Sequence, residues 1–302
     1  NRIISIDVFR GVTMFLMLWV NDFWTLNSIP KWLKHAISGE DYLGFSDLIF
    51  PWFLFAIGLS IPFAFESRLL KVENNVTIGK HILLRTIALL VMGLFHMNME
   101  MYNHQLSIIS KPIFVIISTL AFFMIWNDYS RLKGKNDFFY QLLPFLGVAV
   151  LIIMFFIYRG QDYDGNAIGF RIHWWGILGL IGWVYNITAW TYFAFKKSIV
   201  AMSIAFFICM IINFMDSSNI SYAIFSWQRA DWIPGSGGLQ ALSFAGIITS
   251  LCLIKHKEDV KILYGILSFA GLLSLLSGLF LKKYFIISKI CLLYTSDAAD
   301  DR

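Results

Sequence analysis

Ser46-Asp47-Leu48-Ile49-Phe50-Pro51-Trp52-Phe53-Leu54-Phe55-Ala56-Ile57-Gly58-Leu59-Ser60-Ile61-Pro62-Phe63-Ala64-Phe65-Glu66 is the stretch that decides the fold. No charged residue occurs between Asp47 and Glu66. A hydrocarbon core about 30 Å thick takes roughly 20 apolar residues in a helix, and this run supplies them. Pro51 and Pro62 would interrupt a helix in water. In a membrane bundle, neighbouring groups satisfy the freed carbonyls and such prolines are tolerated.

Working outward, eight more runs of this kind lie at about 8–26, 81–97, 107–126, 138–158, 174–195, 198–215, 238–254 and 261–281, and a further one opens near 284. The expected fold is all-α: a polytopic integral membrane helix bundle of nine to ten transmembrane helices, truncated at its C-terminus. Composition agrees. The chain of 302 residues is 58% hydrophobic and 14% charged, against about 25% charged in soluble domains. That balance excludes a disordered chain, a nucleic-acid-binding domain and an ordinary cytosolic enzyme. The net charge of +5 sits in short loops between apolar runs, where it reads as a topology signal. Cys209, Cys252 and Cys291 are too few and too far apart for a zinc site or a disulfide framework.

Alternate loops carry fourteen Lys and Arg on one side and eight on the other, which predicts a cytoplasmic N-terminus. The loops at 27–45, 98–106, 159–173 and 216–237 then face outward. They are the longer ones and hold most of the polar and aromatic side chains, among them Trp32, His35, Asp162, His173, Trp227, Arg229 and Trp232. This asymmetry points to a polar ligand handled on the outer face.

Several residues could carry chemistry. Asp7 and Arg10 are three apart on one face of the first helix, as a phosphate contact or an interfacial ion pair. Asn21 and Asp22 end that helix, where an acidic group needs a partner or water. His35 has a side chain suited to proton transfer near neutral pH or to nucleophilic attack. Ser46 reads as a helix N-cap. Asp47 reads as a first-turn acid or as the carboxylate that orients an imidazole. Arg10, Arg68 and Arg85 are basic groups on the cytoplasmic side. Gly176, Gly179 and Gly182 repeat every three residues and predict a tightly packed helix face. Pro234-Gly-Ser-Gly-Gly238 is a flexible turn rather than a phosphate loop, because no Gly-Lys-Ser/Thr follows.

These residues also form an ordered pattern. Arg2-x-x-Ser5-Ile6-Asp7-Val8-Phe9-Arg10-Gly11, Val20-Asn21, Lys34-His35-Ala36, Asp47-Leu48-Ile49-Phe50-Pro51-Trp52-Phe53-Leu54-Phe55 and Gly58-x-Ser60-Ile61-Pro62 follow one another. The set resembles the heparan-alpha-glucosaminide N-acetyltransferase family, part of a wider transmembrane acyltransferase group with many bacterial members. The run from His173 to Trp183 is similar to those bacterial members, and the rest agrees in hydropathy. Two departures stand out. Ala36–Ser46 is about two residues longer than in the family's lysosomal member, and His104-Gln-Leu-Ser-Ile replaces a Gly-Val-Leu-Gln-Arg-like run.

The resemblance implies a membrane enzyme that takes an acetyl or short acyl group from cytoplasmic acyl-CoA and gives it to an extracytoplasmic sugar or glycan. It implies His35 as the catalytic residue, with Asn21 near the thioester and Asp47 beside it. Arg10, Asp7 and Arg85 then fall to the acetyl-CoA side, and no metal is expected. The implied partners are acyl-CoA, the glycan acceptor, the lipid bilayer and a second copy in a homodimer, with no nucleic acid. The implied location is the bacterial inner membrane. A transporter for a glycan or small polar solute, its path lined by Asn21, Asp22, Asn186 and Asn213, is the rival reading. Residues 1–290 are expected to form one incomplete transmembrane domain, with 291–302 a non-native tail.

Overall fold

The structure is a computed structural model, and it describes residues 3–26, 28–37, 40–70, 74–129, 137–162, 165–172, 176–218, 220 and 237–284. The tail at 291–302, like His173 and the 221–236 stretch with Trp227, Arg229 and Trp232, lies outside the described residues.

Nine α-helices occur among the described residues: α1 (Ile4–Asn21), α2 (Phe45–Leu70), α3 (Asn75–Glu100), α4 (Lys111–Trp126), α5 (Asp137–Ile157), α6 (Ile177–Phe195), α7 (Ile199–Ser217), α8 (Gly238–Lys255) and α9 (Val260–Leu281). Eight are long and apolar enough to cross a membrane. The chain is an all-α polytopic membrane protein. The ninth, α4, has 16 residues and is shorter than the run at 107–126 suggested. Ser107 does not enter it, because its hydroxyl donates to the carbonyls of Asn103 (2.6 Å) and Arg159 (3.0 Å). Pro112 then sits in the first turn, where its missing N–H costs nothing. Conversely α3 starts six residues before the run at 81. Asn74 Oδ1 accepts from the Thr77 N–H (2.8 Å) and the Thr77 hydroxyl (2.7 Å), which satisfies helix-end donors ahead of the apolar stretch.

The chain divides into two compact units, 1–86 with 183–302, and 87–182. In the first, α2 packs on α8 through small residues. A Cβ on Gly58 would run into the backbone of Ser243, and one on Gly246 into the backbone of Phe55 and Leu59. Only glycine lets these backbones approach so closely. Ser250 Oγ donates to the Leu59 carbonyl across the seam (2.6 Å). The surrounding core holds Ile61, Phe65, Ile78, Ile82, Tyr192, Met202, Phe244 and Ile247. Helix α1 lies against α2, with Phe9 edge-on to Phe55 at 6.3 Å.

The second unit is built from the latter part of α3 with α4 and α5, around Phe95, Tyr102, Phe114, Met154 and Tyr158. The glycine row opening α6 packs as its spacing predicts: Gly179 backs onto Gly93, and Gly176 onto Met97. A two-residue antiparallel pair, β1 (Gly160–Gln161) with β2 (Ala167–Ile168), caps this unit.

Candidate active site

The site begins with how the chain enters α2. Lys31–Leu33 forms one 3-10 turn, and Lys34 after it is extended. Gly44 lies against the Lys34 carbonyl so closely that a Cβ would land on that oxygen. Glycine at 44 therefore lets the His35 segment lie directly on the helix start. Ser46 and Asp47 are both buried there.

Asp47 joins the pieces. Its Oδ2 accepts the backbone N–H of Ala36 (3.0 Å) and of Gly44 (2.9 Å). Its Oδ1 lies 2.7 Å from His35 Nδ1. The carboxylate accepts at both oxygens, so the hydrogen of the third bond sits on Nδ1, and in a neutral ring the lone pair is then on Nε2. The side chain of Asp47 is 1% exposed and that of His35 22%. One member of the pair is fixed in protein while the other reaches the surface. Such an imidazole can take up a proton at Nε2, or attack through it, while the carboxylate stabilises the charge that develops on the ring.

Asp47 takes both geometric parts that its position allows: it accepts the Gly44 N–H at the helix start, and it holds the His35 loop and faces the ring. Ser46 departs from its expected N-cap role. Helix α2 already starts at Phe45, and the Ser46 hydroxyl donates instead to the Leu33 carbonyl. Around the rim, Lys31 pairs with Glu40 and sits 5.0 Å from the Tyr42 ring centre. Its hydrogen bond to Glu40 raises the Lys31 pKa, and the same bond lowers that of Glu40. Asp41 lies 4.0 Å from Lys282, just past α9.

The other expected site residues fall elsewhere. Asn21 ends α1 with its side chain exposed, next to the 3-10 turn Asp22–Thr25. Asp7 is half-buried and Arg10 exposed, both near the start of α1. Arg85 falls inside the apolar run expected at 81–97, and the structure sets it deeper still. Because α3 starts at Asn75, Arg85 stands ten residues inside it, about 15 Å along the axis. Its guanidinium lies over the Tyr185 ring, 4.9 Å from the centre, and Arg68 bears on the same phenol. Beside it, Thr86 Oγ1 meets Asn186 Oδ1 at 3.4 Å. An arginine within a span costs about 2.5–3.5 kcal/mol to insert unless it faces water or a partner. Asp47 and Arg68 are 21 residues apart in α2, about 32 Å of helix. The His35 corner and the Arg68 end therefore lie a full hydrocarbon thickness apart.

Sequence reasoning missed Tyr185 under Arg85, and it missed what Gly44 and Ser46 do. The spacing Gly44-x-Ser46-Asp47 was the available signal, since a glycine and two short polar groups at a helix entrance suit a backbone approach. Among the described residues, no group of three or more His, Cys, Asp or Glu could hold a metal ion.

Comparison with known proteins adds identity to this geometry. The sequence pattern described as heparan-alpha-glucosaminide N-acetyltransferase, catalytic, matches residues 2–161, just over half of the chain. The heparan-alpha-glucosaminide N-acetyltransferase of Mus musculus is 31% identical over 102 residues, covering 32% of this chain and 14% of that protein. That of Homo sapiens is 32% identical over 101 residues, again 32% of this chain and 14% of the relative. The match therefore spans about a seventh of the length of these relatives. No solved structure matches the chain.

Proposed function

The chain belongs to the heparan-alpha-glucosaminide N-acetyltransferase catalytic family, and from that premise we propose that it is a membrane acyltransferase. It moves an acetyl or other short acyl group from acyl-CoA at the cytoplasmic face to a sugar or glycan acceptor on the far side. The observation that carries this reading is the His35 Nδ1–Asp47 Oδ1 bond at 2.7 Å, with the other carboxylate oxygen held by two backbone N–H groups. An imidazole oriented by a buried carboxylate is the arrangement that general-base or nucleophilic catalysis uses.

Each residue takes one part in this reading. His35 Nε2 removes the proton as an acceptor amine or hydroxyl attacks the thioester carbonyl. The C–S bond breaks, and the proton returns from the imidazolium to the departing CoA sulfur. In the alternative order Nε2 itself takes the acyl group first and hands it on. Asp47 stabilises the ring cation in both. Asn21, an exposed amide donor at the outer end of α1, supports the thioester oxygen. At the other end of the spans Arg10 and Arg68, with Arg85 deeper inside α3, offer guanidinium groups to the donor's phosphates, and Asp7 orients Arg10. A donor with a polyanionic head and a distant thioester suits basic groups and imidazole separated by the membrane. The location is the bacterial inner membrane, with the N-terminus cytoplasmic.

The test uses the purified protein in liposomes, with labelled acetyl-CoA on one side and glucosamine on the other. Labelled N-acetylglucosamine in the acceptor compartment, lost in His35→Ala, is the expected result. No transfer together with no acetyl-CoA binding overturns the reading. Label that stays on the denatured protein marks the acyl-histidine route.

A further inference from the structure

We propose that Ser46 is a positioning residue that sets the His35 imidazole against Asp47, an inference that rests on the acyltransferase reading of this corner. Ser46 is 2% exposed, and its hydroxyl donates to the Leu33 carbonyl. Leu33 closes the 3-10 turn two residues before His35. The next side chain, Asp47, takes the N–H of Ala36, one residue after His35. Two consecutive residues of α2 therefore grip the loop on either side of the histidine. They project about 100° apart around the helix, so the grips come from different directions. One grip alone would leave the His35 backbone free to pivot; both together fix where the ring starts.

The rim ion pair cannot substitute. Lys31 and Glu40 lie in water, where such a pair holds little and is weakened by salt. Nor is the serine needed to fill space, since alanine differs by one oxygen and is the better helix former. A residue that merely filled space would therefore tolerate alanine. In Ser46→Ala the Leu33 carbonyl, on a half-exposed residue, turns to water and carries His35 away from the carboxylate. Displacement of a reacting group by an ångström costs up to about a hundredfold in rate.

The test has two independent readouts on the full chain in detergent. The first needs no substrate: the far-downfield Nδ1 proton resonance of His35, assigned by its loss in His35→Gln. It is present in wild type, lost or moved in Ser46→Ala, and recovered in Ser46→Thr, which keeps the hydroxyl. The second is acetyl transfer, where kcat falls roughly ten- to a hundredfold in Ser46→Ala while KM for acetyl-CoA stays within about twofold. An unmoved resonance in Ser46→Ala overturns the proposal, and so does a resonance absent from wild type. If the wild-type protein transfers no acetyl group, the acyltransferase reading fails while the resonance still decides what Ser46 does. Acetyl-CoA binding and an unchanged melting temperature establish that Ser46→Ala is folded. If it is not, Ser46→Cys, a weaker donor of similar size, must shift the same resonance or the proposal fails.

Discussion

Two buried side chains pin a loop to a helix end in this protein, and they finish the task differently. Asn98, near the end of α3, is 1% exposed, and so is Asp47 at the start of α2. Each accepts a loop N–H at 3.0 Å, from Arg171 and from Ala36 respectively. Asn98 then turns its NH2 back on protein, to the carbonyls of Arg171 and Leu94, both at 2.8 Å. The Tyr158 hydroxyl closes the set by donating to the Asn98 carbonyl at 2.8 Å. Burial pushes that phenol up to about 12, so it stays a donor throughout the physiological range. The amide, backbone and phenol groups bonded here are uncharged and donate only into protein. At Asp47 the second oxygen goes instead to an imidazole that reaches the surface. The same physical device closes on itself at Asn98 and, at Asp47, ends in a titratable ring near solvent.

Substitutions at the two corners separate these outcomes. His35→Ala removes the base and should lower acetyl transfer by roughly 10²- to 10⁴-fold with little change in melting temperature. Asp47→Asn comes next. Its NH2 must face either the two backbone N–H donors or the ring N–H, so the loop loosens or the imidazole takes the other tautomer. Turnover should fall by about a hundredfold or more, and steady-state kinetics show this as a loss in kcat. Asn98→Ala leaves a backbone N–H and C=O of Arg171 unsatisfied. It should cost about 1–3 kcal/mol of stability, read as a lower melting temperature, while turnover per folded molecule stays near wild type.

The smallest effect belongs to the rim. Glu40, with its pKa lowered, contributes to the pair above its unfolded pKa and loses that contribution as the medium becomes acid. Lys31, with its pKa raised, contributes below its unfolded pKa and loses it as the medium becomes strongly basic. Across the middle of the pH range the pair is intact. Any change of rate near neutrality should therefore survive in Lys31→Ala, whose turnover stays within about twofold of wild type.

Much of this was legible in the sequence for a simple reason. In lipid the backbone must bond internally, so long apolar runs have one solution, and 46–66 and its eight companions announced the helices. Helix entrances were less legible because polar side chains outside the apolar run set them. Asn74 extends α3 backward, and Ser107 with Pro112 delays α4. The His35–Asp47 pairing was readable as a choice, since spacing allowed capping or orienting; only folding brings residues twelve apart into contact. Arg85 already lay inside the expected run at 81–97; the earlier start of α3 at Asn75 sets it deeper in the span, where it rests on Tyr185. No periodicity marks an aromatic ring a hundred residues away as its neighbour.

Under the proposed function the Asp47 corner carries acyl transfer and the Asn98 corner carries only fold. The most direct measurement is acetyl-CoA-dependent acetylation of glucosamine by wild type, Asp47→Asn and Asn98→Ala, each normalised to folded protein. Turnover reduced about a hundredfold in Asp47→Asn and retained in Asn98→Ala is the expected result. Equal turnover in Asp47→Asn and wild type would contradict the account.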